Sequence, residues 1–138
     1  MKKIVMFLVL ALTLTALPLA AVEVRDEGAM SLYRIHLGMG VGEEALTATE
    51  IQKFIDQEIT PRFSNGLTIL EGRGQWEAPE GLIKERTTVV DVQGPGTEDV
   101  QAKVAEIAEI YVERYQDARA SVYVMRVDNT HNILYYQY

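Results

Sequence analysis

Thr60-Pro61-Arg62-Phe63-Ser64-Asn65-Gly66-Leu67-Thr68-Ile69-Leu70-Glu71-Gly72-Arg73-Gly74-Gln75-Trp76 passes from a helix end through a turn into a strand. Pro61 disfavours the helical region for the residue before it, so a helix ends here. Asn65-Gly66 supplies a turn. Leu67 to Trp76 then reads as a strand, with Gly72 and Gly74 on one face and the only tryptophan at its end.

The segments on either side fill in the rest. Upstream, Ser31 to Met39 alternates: Tyr33, Ile35, Leu37 and Met39 fall on one side, Arg34 and His36 on the other, the pattern of a half-buried strand. Thr47-Ala48-Thr49-Glu50 is a capping box, and Ile51, Phe54, Ile55 and Ile59 form the apolar stripe of a first helix. Downstream, Glu77 to Gly81 reads as a loop and Leu82 to Val92 as the returning strand. A second helix begins near Thr97, with Glu98 and Asp99 at the positive end of its dipole and a stripe of Val100, Val104, Ile107, Ala108, Tyr111 and Tyr115. Ala120 to Asp128 is a strand, Asp128 to Asn132 a turn, and Ile133 to Tyr138 an extra short strand. The order β-α-β-β-α-β predicts an α+β, ferredoxin-like domain: two helices on one face of an antiparallel sheet, the other face open to solvent, a ligand or a second copy.

Residues 1–21 read as a cleavable signal peptide: Lys2 and Lys3, an apolar run from Ile4 to Leu17, then Leu19-Ala20-Ala21, with cleavage after Ala20 or Ala21. A bacterial periplasmic or secreted protein is the expectation, with no membrane association after cleavage. Residues 22–30 read as a disordered or extended lead-in, and 31–138 as a single domain. The chain has no cysteine, which excludes disulfides and thiolate metal sites. Its formal charge of −7 becomes −9 without Lys2 and Lys3. That balance argues against nucleic acid as a partner, since phosphate backbones call for a basic stripe.

The block from Thr60 to Trp76 also resembles the bacterial exported family called domain of unknown function 3574. The matching residues are Thr60-Pro61-Arg62-Phe63, Gly66-Leu67-Thr68 and Gly72-Arg73-Gly74-Gln75-Trp76. Glu85-Arg86-Thr87 and Val124-Met125-Arg126-Val127-Asp128 are similar to later strands of that family, and Tyr33 to Gly38 to its opening strand, although His36 and Leu37 stand where aromatics are expected. The resemblance implies an exported α+β domain. It implies no activity and supplies no site residues.

The candidate ligand-binding residues come from the chain itself: Arg34, His36, Arg62, Gln75, Trp76, Arg86 and Arg126. Arginines on an acidic background suit a small anionic ligand; ion pairing with local carboxylates is the competing reading. A loop over Glu77–Gly81 sets Arg73 opposite Glu85, Gly74 opposite Lys84 and Gly72 opposite Arg86. The glycines then serve either a close approach by a ligand or the stems of Lys84 and Arg86. Trp76 is a stacking platform or a plug at the rim of the core. His36 and His131 show no metal-ligand spacing, so neither a metal nor another cofactor is expected. No serine has an evident base beside it; Ser121 is one of three considered. Tyr123, Tyr135, Tyr136 and Tyr138 make the C-terminal strands, like the open sheet face, a surface for a homodimer. The preferred function is a non-enzymatic binding or interaction module that uses the open face. The alternative is a small cofactor-independent enzyme of the dimeric α/β-barrel type, acting on an anionic small molecule with His36 as acid or base. A structural or envelope-stress factor is a third reading.

Overall fold

The computed structural model describes residues 22–137, and their side chains apart from 22–29, 129 and 131–137. The signal-peptide reading of 1–21 lies outside the described residues. The elements run β1 (Val22–Gly38), α1 (Ala48–Phe54, continued by a π-helical turn Ile55–Ile59), β2 (Leu67–Ala78), β3 (Gly81–Gly94), α2 (Glu98–Arg114) and β4 (Ser121–Gln137). The strands form one antiparallel sheet in the order β2-β3-β1-β4. The protein is thus an α+β domain of four antiparallel strands and two helices.

Local signals explain most of these elements. Thr47 caps α1: its hydroxyl accepts from the Glu50 N–H at 3.3 Å, and the Glu50 carboxylate accepts from the Thr47 N–H at 2.8 Å. That closes the capping box. Past Phe54 the helix widens, and the Thr60 N–H bonds back five residues to the Ile55 carbonyl. This keeps Ile55 and Ile59 both in the core. The Ile55-to-Ile59 interval is then a turn of the wider helix, whose period exceeds that of an α-helix.

Both helices bury their stripes against the same sheet face. Tyr33, Ile35 and Leu37 of β1, Val90 and Val92 of β3, and Ile51, Phe54, Ile107 and Tyr111 of the helices form one cluster. Phe54 is fully buried and meets the Tyr111 ring edge-on at 4.9 Å. Burial of one such ring is favourable by about 2–3 kcal/mol. The Tyr111 hydroxyl donates to the Gly38 carbonyl at 2.9 Å, so α2 holds the end of β1 by a buried polar bond.

Three sequence expectations change. Residues 22–30 are not a separate lead-in but the first half of β1, paired with β4 as far as Val22 opposite Gln137. The expected turn at Asp128–Asn132 and the separate last strand are one continuous β4; the ladder absorbs the irregularity through register shifts between Asp26 and Ala29 and between Met30 and Leu32. Polar Asp-Asn residues look like a turn, but pairing along the long β1 overrides that preference. The β2–β3 connection is also shorter than expected. Ala78 pairs with Gly81, leaving only Pro79-Glu80 in the turn. Proline suits the first central position of such a turn. A register displaced by one residue turns every side chain to the other face.

Candidate functional site

The corrected register decides what lies on the uncovered face of the sheet. Leu70, Val89, His36 and Tyr123 form one row across the four strands. The next row is Gly72, Thr87, Gly38 and Ser121; then come Gly74 and Glu85, and then Trp76 and Ile83. Successive rows lie roughly 7 Å apart, two residues along a strand. The middle rows hold almost nothing larger than a threonine except Glu85. They floor a shallow furrow that crosses the sheet between the His36–Tyr123 row and the Trp76–Ile83 row. Tyr123 is 63% exposed and Trp76 44%.

Glu85 occupies the floor of the furrow. The Gly40 N–H donates to its Oε2 at 3.1 Å, and the Ser121 hydroxyl lies 3.4 Å from its Oε1. Gly38 and Gly74 flank it on the two neighbouring strands: a Cβ at Gly38 would come within 2.7 Å of Oε1, and one at Gly74 would lie 3.5 Å from its Cγ. A side chain at Gly38 would displace the Ser121 hydroxyl and the carboxylate, and glycine leaves both in place. Gly40 has φ +76°, and a Cβ there would run into the Ala118 carbonyl. That permits only glycine in a loop which must turn its N–H onto Glu85. Desolvation raises the Glu85 pKa above the ordinary glutamate value, and the two hydrogen bonds only partly oppose it. Tyr111, below the sheet, is pushed up chiefly by burial, with a smaller contribution from the charge of Glu85.

The sequence candidates separate. Arg34 and His36 share the uncovered face with Trp76, whereas Arg62, Gln75, Arg86 and Arg126 lie elsewhere. Arg34 makes a two-pronged bond to Asp91, at 2.7 and 2.6 Å, which holds the Asp91 carboxyl below its usual range. His36 packs on Tyr123 with ring centroids 5.5 Å apart, on open sheet. Arg62 joins Glu58 to Glu106 and so ties the end of the first helix to α2; Arg114 bonds to Glu58 as well. Arg126 pairs with Asp128 and lies 5.8 Å from the centre of the Tyr33 ring, on the helix side. For Arg34, Arg62 and Arg126 the ion-pair reading therefore has the geometry.

The helix side of the hairpin gains a feature in their place. Arg73 faces Arg86, not Glu85, and Gln75 faces Lys84. Neither guanidinium forms an ion pair among the described residues. Both line a depression of about 290 Å³ together with Glu71 and Thr88. The glycines face Thr87 and Glu85, so the stems of Lys84 and Arg86 do not cover them. Among the described residues no group of three or more His, Asp or Glu side chains is placed to hold a metal ion. No described helix is long and apolar enough to cross a membrane.

Sequence reasoning misses Glu85, which it sets opposite Arg73 on the other face. Ser121 was set aside for lack of a base, yet it sits beside that carboxylate. The available signal was the set of small residues, Gly38, Gly40, Gly72 and Gly74; only the register shows that they surround one acid.

Residues 33–133 match the family described as "Protein of unknown function (DUF3574)". The chain belongs to this family. No curated protein matches the sequence. Among solved structures, a phage SAM lyase in its apo state aligns with a TM-score of 0.56 and 17% identity over 80% of this chain and 91% of the lyase. The same lyase in complex with S-methyl-5'-thioadenosine gives 0.56 and 19% over the same shares. CutA from Synechococcus elongatus, complexed with bis-tris, aligns at 0.49 and 6% over 80% of this chain and 89% of its own. At these identities the DUF3574 chain shares a fold with the lyase, and nothing about its chemistry follows from that.

Proposed function

We propose that this DUF3574 chain is an exported, periplasmic or secreted, ferredoxin-like binding module, and that its uncovered sheet face is the contact surface, first of all for a second copy of itself. One observation carries the reading. In the rows of the uncovered face Arg34, Asp91 and Glu85 are the charged residues, so that face is nearly charge-balanced, and it is rich in apolar and aromatic side chains. Arg34 and Asp91 neutralise each other at its centre. Leu70, Tyr123 and Val127 stand 46%, 63% and 41% exposed around them. Two such faces can approach without the repulsion that a net charge of −9, the balance without Lys2 and Lys3, imposes elsewhere. Exposed apolar area of this kind on a small domain marks an interaction surface.

Sedimentation of the exported protein tests this. A dimer mass is expected, and Tyr123→Glu is expected to give monomer. A wild-type protein that stays monomeric at about 100 μM, a concentration at which even weak dimers form, overturns the reading.

A second reading has one observation in its favour. The Glu85 carboxyl, raised in pKa and bonded to Gly40 and Ser121, is suited to hold or accept a proton. In a cofactor-independent enzyme closed by two sheets, Glu85 and not His36 would be the acid or base. The phage SAM lyase is a precedent only for an enzyme on a similar fold.

A further inference from the structure

The geometry points to a small-ligand site in the furrow on the uncovered face, and to its ligand class: an organic cation with a flat apolar body, its charge on Glu85 and its body against Trp76. The inference rests on the uncovered face being a contact surface, but not on a dimer.

Three features of the furrow carry it. The first is a fixed negative group at its floor. Glu85 is held by the Gly40 N–H, yet no cation pairs with it among the described residues, in a chain that pairs Arg34, Arg62, Arg114 and Arg126 with carboxylates. The second is room. Gly74 lies directly across from Glu85, and Gly72 follows it on the same edge strand. Their bare backbone leaves a gap between Trp76 and Leu70 of about 20 Å, six residues at roughly 3.4 Å each. A single six-membered ring is shorter than this span. The third is the exposed Trp76, one row from Glu85. A cation that spans one row is attracted at both ends, by the Glu85 charge and by the ring quadrupole of the indole. A small anion would meet the Glu85 charge with none of the paired arginines free to offset it.

Three probes that share one ring isolate the charge: benzylammonium, benzyl alcohol and benzoate. Trp76 is the only tryptophan, so its fluorescence reports binding at the furrow itself. Saturable quenching by benzylammonium is expected, at least about fivefold tighter than by benzoate, the factor expected from an exposed to half-buried charge pair. Glu85→Gln should remove that preference. Glu71→Gln, which alters an acid on the helix side, should keep it and so excludes general attraction to an acidic protein. Gly74→Ala should weaken benzylammonium binding, because a Cβ there meets the Glu85 side chain at an ordinary contact distance of 3.5 Å and adds bulk beside the carboxylate without forcing the strand apart. Equal binding of benzoate, a preference that survives Glu85→Gln, or no saturation by any probe overturns the inference. A monomer that still prefers the ammonium sinks the self-association reading alone; a dimer with no preference sinks this one alone.

Discussion

The two sides of strand β1 have opposite fates. Tyr33, Ile35 and Leu37 face the helices and are at most 2% exposed; Arg34, His36 and Gly38 alternate with them and face outward. On the covered side shape decides everything, because interiors pack at crystal density and each lost methylene is felt. On the uncovered side the residues are held by neighbours in the sheet plane: Arg34 by Asp91, His36 by Tyr123, Glu85 by Gly40. The comparison teaches that the covered side accounts for stability and leaves the uncovered side free to carry side chains that stability does not require.

Substitutions on the two sides should therefore differ in their effect on stability. Phe54→Ala on the covered side should cost about 3–5 kcal/mol in chemical denaturation, the usual loss for a buried ring. A loss below about 1 kcal/mol would mean that the core is not where the helices place it. Tyr111→Phe keeps the ring but leaves the Gly38 carbonyl without its donor, for a loss of about 1–2 kcal/mol. Arg73→Glu should raise stability by about 0.2–1 kcal/mol, because it replaces like charges directly opposed with unlike ones. No gain would indicate that the two guanidiniums already diverge in solution. His36→Ala, on the uncovered side, should change stability by no more than about 0.5 kcal/mol.

A pH series sharpens the same contrast through Glu85. Its folded pKa is raised, so the native state binds its proton more tightly than the unfolded chain does. The group therefore favours folding below its ordinary pKa, and that contribution fades as pH rises through the folded value. Asp91 is shifted the other way by Arg34, and its contribution is lost on acidification. Denaturant midpoints of the parent and of Glu85→Gln between about pH 4 and pH 7 should diverge upward, with the variant relatively more stable at the higher pH. Parallel curves would show that the carboxyl is not desolvated.

The covered side was legible in the sequence and the uncovered side was not. Ile51, Phe54, Ile55 and Ile59, and Val100, Val104 and Ile107, announce their burial by spacing alone, because helix periodicity is a local property. The Thr47–Glu50 box is equally local. The hairpin register depends instead on how many residues Pro79 and its neighbours leave unpaired. A five-residue loop and a two-residue turn differ little as strings, yet they place Glu85 in different company. The same single-residue displacement moved Arg73 from Glu85 to Arg86 and uncovered the two glycines. Arg34 and Arg62 were visible as charges, but their partners Asp91 and Glu106 are distant in sequence and could not be assigned from it, unlike the local pairs Arg62–Glu58 and Arg126–Asp128.

The first half of β1 has a consequence for handling the molecule. Beyond Ser31, whose partner Gly94 is the last on β3, β1 pairs only with β4, as a two-stranded ribbon that ends with Val22 across from Gln137. The two ends of the described fold thus meet at one tip, about 30 Å along the ribbon from Ser31. A short linker would suffice to fuse them, and the tight turn at Pro79-Glu80 offers a place to reopen the chain. Such a circular permutant would present new termini beside Trp76, where a tether could deliver a chosen molecule to the indole.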